Sequence, residues 1–492
     1  MSYESYRKAK IQGYYDYQLE TFVSGFDPTR PTVVLLPGGM GSQLERTENP
    51  VGTEPNVIND VIWMDWGIVW PKKDAFKLEI QVTGGSERDK DSYVVAPHGP
   101  LKFITQTPYD KLKEFAAKKW NYCVFGFDWR RPLAESSAYF KDFIYDFQKR
   151  IVASHRIDPI PNLTIVCHSM GGMACAYALR DPRFSALGFH AAVTVATPFY
   201  GTSNQIERYY NGDGGLLNMI YGTKAVAEIT SSLPGPYTLM SLPREIYLRD
   251  GKRLGLARYP QMDPNGNTDA DPYDAAFMSR WPLPVQDHQQ YLARARAELV
   301  YISQPIAASI APVFFNVRSS LDTTTASELL WSNVDGDSFI PGTTPSPVAG
   351  MAGPGDGTVP SWSAWHAYSQ ARNRHELKQA KDHGALLEHP EVLDVIDTIV
   401  KTRKLPVSTK RSIRAKAGKA KSGPVKAGPA KAGPAKASPA KTARIVDAWI
   451  GSGKRKQAPP RELFDEAVQK TIVTGLISGK KPRMVRRKTS PT

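Results

Sequence analysis

Five short apolar runs, each closed by turn residues, punctuate the chain: TVVLLPGG (32–39), NYCVFGFD (121–128), LTIVCHS (163–169), AAVTVATP (191–198) and PVFFNVRS (312–319). Their apolar positions are continuous rather than alternating, which predicts strands buried on both faces. Between them KLKEFAAKKW, YFKDFIYDFQKRIVASH and GGMACAYAL carry helical spacing. Strands separated by helical stretches of this length predict βαβ units and a mostly parallel central sheet. The fold class is therefore α/β.

The rhythm breaks after residue 202. Clusters of Tyr, Pro, Met, Gly and Leu, among them YYNGDGGLLNMIYG and SSLPGPYTLMSLP, fill residues 203–311. We expect a cap inserted between a first core segment, 1–202, and a second, 312–404. Residues 405–492 follow a different rule. Lys421, Lys426, Lys431, Lys436 and Lys441 recur every five residues with Pro424, Pro429, Pro434 and Pro439 between them. Proline removes a donor and the rest has little apolar surface, so this predicts an extended, self-repelling tail. Phe464, Val468, Ile472 and Leu476 lie at helical spacing and predict one short helix within it.

Charge sharpens this division. The 492 residues carry a formal net charge of +15, but residues 401–492 hold 25 Lys/Arg against 4 Asp/Glu, leaving 38 against 44 for the first 400. Any partner inferred from charge is a tail partner: an anionic membrane surface or nucleic acid, attracted without sequence specificity because no aromatics interleave the lysines. No apolar run approaches 18 residues and the N-terminus lacks the apolar stretch of a signal peptide. The expectation is a cytoplasmic or unconventionally exported protein, peripheral at membranes if it meets them. The cysteines, Cys123, Cys167 and Cys175, are odd in number and sit in core-like runs, which excludes a disulfide framework.

The sharpest chemical signal is IVCHSMGGMACAYAL. Ser169 follows an apolar strand and precedes two glycines and a helix-forming run. A serine that attacks an ester must stand on a sharp strand-to-helix turn with small neighbours, and Gly171 supplies one of them. Cys167 stands where the usual pattern has its first glycine. Asp356, in GPGDGTVP, and His383, in KDHGALLEHPEV, follow in the order nucleophile, acid, base, on loops suited to presenting them. Asp335 and Asp337 in VDGDSFIPG compete for the acid, and His366, His375 and His389 for the base. His168 is a poor base because neighbouring side chains at a tight turn point apart. The glycine-rich LLPGGMGSQLER offers unobstructed N–H groups, so Gly39 and Met170 are the candidate oxyanion donors. Leu44 at the third glycine position, and the lack of a Gly-Lys-Ser/Thr, exclude a nucleotide loop.

Taken together, PGGMGSQLER, IWMDW, FGFDWRRP, CHSMGG, VATPFYGT, SSLPGPY, GDGTVP and DHGALLEHPEV resemble the lecithin:cholesterol acyltransferase-like branch of α/β-hydrolases, across roughly residues 30–400. The resemblance implies a Ser169–Asp356–His383 triad, oxyanion donors at Gly39 and Met170, and an acyl entrance near Trp63 and Trp66. It implies transfer of an acyl group from a lipid ester to an alcohol or to water, with no metal or organic cofactor. Two other readings stay open: a soluble carboxylesterase or polyester hydrolase with the same triad, and an anionic-surface or nucleic-acid binder with a degenerate hydrolase domain.

Overall fold

A computed structural model of the chain describes residues 2–47, 60–63, 78–83, 86–89, 94–101, 108–157, 160, 162–211, 223–256, 259–260, 271–274, 288–326, 329–332, 346–349, 352–379 and 382–406. The expected tail beyond residue 406, with its short helix, lies outside the described residues, as do Trp66, Asp335 and Asp337.

Six parallel strands form the central sheet: β1 (Thr32–Leu36), β2 (Asn121–Val124), β3 (Thr164–His168), β4 (Ala191–Val195), β5 (Phe314–Arg318) and β6 (Arg374–Glu376). Their order across the sheet is β6-β5-β4-β3-β1-β2, with every neighbouring pair parallel. The five apolar runs supply β1 to β5. Every residue of β1, β3 and β4 is buried, because both faces are covered. Val33, Leu35, Val166, Val193 and Phe315 join one apolar cluster, and Val34, Leu36, Ile165, Ala192 and Phe314 the other. The period-2 alternation of strand side chains thus divides the core into two halves.

Helices α1 (Tyr3–Ser24), α2 (Asp110–Ala117), α3 (Leu133–His155) and α4 (Met170–Ala178) lie before residue 203. Residues 203–311 supply α5 (Gln205–Asn211), α6 (Thr223–Ser231), α7 (Arg244–Leu254) and α8 (His288–Ile302), and α9 (Pro390–Thr402) follows the last strand. No helix among the described residues is long and apolar enough to cross a membrane.

Helix α1 was not among the expected elements. Ser2 caps it, its hydroxyl accepting from the Ser5 N–H at 3.2 Å. Arg7, Ile11, Tyr15 and Leu19, each four residues apart, form its buried stripe. Tyr15 stacks on Phe125 at 4.9 Å between ring centres. Arg7 enters a buried charge cluster: its guanidinium meets Glu135 at 2.6 Å and Asp128 at 3.8 Å, while Arg130 pairs with Asp128 at 2.7 Å and Asp89 at 2.8 Å, and Arg131 with Asp89 at 2.9 Å. Burial alone would raise the Asp89 carboxyl, but the Arg131 and Arg130 guanidiniums outweigh it and hold Asp89 well below the usual carboxylate range.

Helix α8 is fastened to the core along its C-terminal part. The Glu298 carboxylate accepts from the N–H groups of Leu133 (3.2 Å) and Ala134 (2.9 Å), capping the start of α3. Arg180 donates to the carbonyl of Ile302 at 2.6 Å and to those of Gln304 and Pro305, where α8 ends.

Burial pushes the Glu298 carboxyl up to about 7, outweighing the two N–H groups that favour its charged form. The folded chain therefore keeps a proton that the unfolded chain releases near the ordinary value of 4.5. Its contribution to stability is fully present below that value, is lost as pH rises to about 7, and is level above. Glu298→Gln should accordingly gain stability relative to the parent across this window and hold a constant difference at higher pH. Urea unfolding of both proteins over a pH series checks this; a difference independent of pH contradicts it.

Candidate functional site

The chain leaves β1 for β2 on one side and returns to β3 on the other, so the carboxyl ends of β1 and β3 form the switch point of the sheet, where α/β proteins open a crevice. The loop Pro37–Gly38–Gly39–Met40 leaves β1 there, and Ser169 follows β3. Ser169 has φ 50° and ψ −128°, a conformation that costs a non-glycine residue on the order of 1–3 kcal/mol. Its N–H donates to the Val195 carbonyl at 2.9 Å, and its carbonyl accepts from the Gly172 N–H at 2.9 Å. These bonds and the packing of α4 hold the turn. A Cβ at Gly171 would lie 2.3 Å from the Pro37 carbonyl oxygen and 2.6 Å from that of Leu36. Cys167, in the place of the usual first glycine, is wholly buried in β3, so a compact thiol is accommodated there.

His383 Nε2 stands 2.9 Å from Ser169 Oγ, and His383 Nδ1 stands 2.8 Å from Asp356 Oδ2. Asp356 Oδ1 accepts from the N–H groups of Thr358 (3.0 Å) and Val359 (2.8 Å), which fixes the carboxylate. The His383 N–H donates to the Asp356 carbonyl at 3.1 Å. Both Asp356 and His383 are buried, while Ser169 is half-buried. Asp356 does not leave a central strand directly. It follows Ala352–Gly355, which pairs antiparallel with Asp322–Ala326 after β5, and the Thr325 hydroxyl anchors its loop by accepting from the Gly357 N–H at 2.8 Å. His383 opens a 3₁₀ turn, His383–Glu388, beyond β6.

The rival histidines lie elsewhere. His366 is buried with Nε2 donating to the Ile302 carbonyl at 2.9 Å, and burial holds its imidazole down to about 3. His375 faces Glu391 at 3.2 Å, and His389 sits at the start of α9. His168 faces Tyr109 and the His383 carbonyl rather than the serine hydroxyl.

Gly39 lies against the residue after Ser169: a Cβ at Gly39 would stand 3.2 Å from Met170 Sδ and 3.5 Å from Met170 Cβ. Met40 next to it has φ 63°, a left-handed conformation, and its carbonyl accepts from Trp63 Nε1 at 2.8 Å. Trp63 is placed by backbone bonds from Ile62 and Trp63 to Leu44, and its ring meets Trp129 edge-on at 5.2 Å. Trp63 therefore braces the glycine-rich loop as well as lining the cleft. Sequence reasoning passed over Trp129 and Tyr109, although Trp129 stands in the FGFDWRRP segment.

Gly39, Ser169, Met170 and His383 line an open cleft enclosing roughly 1130 Å³, its mouth included. Trp129, Val226, Ile229, Leu233 and Leu239 make much of its wall apolar, and Gln205 and Arg208 of α5 add polar groups. Among the described residues no group of three or more His, Cys, Asp or Glu is placed to hold a metal ion.

Fold and site define an α/β protein with a parallel six-stranded sheet, flanked by helices, that carries a serine–histidine–aspartate hydrogen-bonded chain at its switch point. No family model matches the chain, and no curated protein matches it by sequence. Among solved structures it is similar to a chain from the crystal structure of the Tle4–Tli4 complex, with a TM-score of 0.50 and 14% identity, covering 75% of this chain and 98% of that one. At that identity the likeness concerns the fold alone.

The contact at Gly171 can be tested directly. Gly171→Ala forces a methyl against two backbone carbonyls and should destabilise by about 1–3 kcal/mol or more. Gly13→Ala, where nothing lies within 4 Å of the added carbon on α1, should be neutral or stabilising by up to about 1 kcal/mol. Denaturant unfolding of the two variants checks the contrast; equal stabilities contradict it.

Proposed function

We propose that the chain is an α/β-hydrolase that takes an acyl group from a lipid ester onto Ser169 and passes it to water or an alcohol. The observation that carries this reading is the Ser169–His383–Asp356 chain of hydrogen bonds opening into a largely apolar cleft.

The geometry supports the following sequence. As Ser169 Oγ attacks the ester carbonyl, His383 Nε2 takes its proton. Asp356 keeps the other proton on Nδ1 and offsets the positive charge that forms on the ring; its own position is fixed by two N–H groups, so it need not reorganise. The oxyanion develops beside the N–H groups of Gly39 and Met170, the latter at the positive N-terminal end of α4. His383 then gives its proton to the departing alcohol. Water, or a second alcohol, loses a proton to the same nitrogen and attacks the acyl-serine; as the acyl–Oγ bond breaks, His383 Nε2 gives that proton to Ser169 Oγ, and both residues return to their starting states.

The cleft wall favours a long acyl chain over a short one. Each methylene removed from water contributes about 0.8 kcal/mol, close to fourfold in binding. This supports lipid esters rather than small soluble ones. The basic 405–492 segment contributes none of these residues; its excess of Lys and Arg supports attraction to anionic lipid surfaces, where such an enzyme meets its substrate.

Two measurements test the reading. Ser169→Ala should lower kcat by about 10⁴-fold or more, and Asp356→Asn by about 10²- to 10⁴-fold, with melting curves like the parent. Along a series of p-nitrophenyl esters kcat/KM should rise from acetyl to octanoyl. An active Ser169→Ala removes the serine mechanism, whereas a series that falls with chain length leaves the serine and removes the lipid.

A further inference from the structure

The residue before the serine has no part in the steps above, yet both of its ring nitrogens are engaged. His168 is 1% exposed, and its ring lies 4.8 Å from that of His383 at an interplanar angle of 32°. His168 Nε2 stands 3.1 Å from the backbone carbonyl of His383, and Nδ1 stands 3.3 Å from Tyr109 Oη. A carbonyl can only accept, so Nε2 carries the proton. Burial, reinforced by the neighbouring His383, holds the imidazole well below its ordinary range, so the ring is neutral and Nδ1 is a bare acceptor. Tyr109 therefore donates to Nδ1, while its oxygen accepts from the Gly38 N–H at 2.9 Å. The donors run one way, from Gly38 through Tyr109 and His168 to the carbonyl of His383.

This path joins two parts of the site that are far apart in sequence. Gly38 precedes Gly39 in the glycine-rich loop, and a Cβ at Gly38 would stand 3.0 Å from Ser169 Cβ and 3.2 Å from His168 Nδ1. The carbonyl at the other end belongs to the residue whose side chain reaches Ser169. The N–H of His383 is already held by the Asp356 carbonyl, so with the His168 bond both backbone polar groups of His383 are tied.

We propose that His168 is a positioning residue that ties the backbone of His383 to the glycine-rich loop, so that nucleophile, base and oxyanion donors keep one geometry. The inference rests on the reading of Ser169 and His383 as nucleophile and base. A displacement of about 1 Å at such a site costs on the order of 100-fold in rate, while substrate binding in the cleft is left alone. The effect therefore belongs in kcat and not in KM.

The test uses the full-length chain and a soluble p-nitrophenyl ester, with melting curves for every variant and Ser169→Ala as the reference. His168→Leu should lower kcat about 100-fold with KM within about threefold of the parent. His168→Gln, whose amide nitrogen can still donate to the His383 carbonyl, should recover kcat to within about tenfold of the parent. A folded His168→Leu with parent kcat beside an inactive Ser169→Ala overturns the inference and leaves the serine reading intact. Equal losses in the Leu and Gln variants overturn it too, because donation would then not matter. If His168→Leu does not fold, Tyr109→Phe decides: a kcat lowered about tenfold at constant KM supports the relay, and parent kcat overturns it. An active Ser169→Ala removes the serine reading and the inference with it.

Discussion

The first turn of α4 lies against the carbonyls of Leu36, the last residue of β1, and of Pro37 after it, and no side chain larger than hydrogen fits between them at Gly171. This approach sets the distance between two segments that leave adjacent parallel strands, and the site depends on it. It brings Met170 beside Gly39 and Ser169 beside Gly38. It also helps hold Ser169 in a backbone conformation that a free chain would avoid. A bulkier residue would move α4 off the sheet, and the serine hydroxyl and the neighbouring N–H groups would no longer share one space.

Around this contact the charged groups fall into two kinds. Asp356 and His383 are held by backbone bonds in an arrangement suited to moving a proton. The larger cluster of Arg7, Asp89, Asp128, Arg130, Arg131 and Glu135 has matched signs and ties α1, the 86–89 strand and the segment after β2 together. Its influence reaches the cleft through the backbone, since the Arg130 carbonyl accepts from the Gly235 N–H at 2.7 Å. That bond joins the segment carrying Trp129 to the SSLPGPY stretch. Removing one partner from such a cluster leaves an uncompensated buried charge, typically a loss of about 3–5 kcal/mol.

Much of this was legible in the residues because the signals are local. An unbroken apolar run such as TVVLL reads as a doubly covered strand, and IVCHSMGG shows the strand, the turn and the helix start within a few positions. β6 was not legible: it is a three-residue edge strand spelled Arg-His-Glu, and its place comes from pairing with β5, far away in sequence. Helix α1 had a readable stripe at Ile11, Tyr15 and Leu19, but the polar and charged residues between masked it. Asp356 and His383 could be named from turn composition and chain order. The two backbone donors to Asp356 and the brace from Trp63 to Met40 depend on tertiary contacts that no spacing encodes. His168 shows the limit best: adjacency to the serine set it aside as a base and said nothing of its bonds to Tyr109 and to the His383 carbonyl.

The proposed chemistry requires Ser169 to be activated by His383, and covalent labelling addresses that most directly. The full-length protein would be incubated with a fluorophosphonate ester, digested, and the modified peptide sequenced by mass spectrometry. One adduct, on Ser169, should form rapidly in the parent and be lost in His383→Ala. An adduct on another residue, or labelling of Ser169 at the same rate without His383, contradicts it.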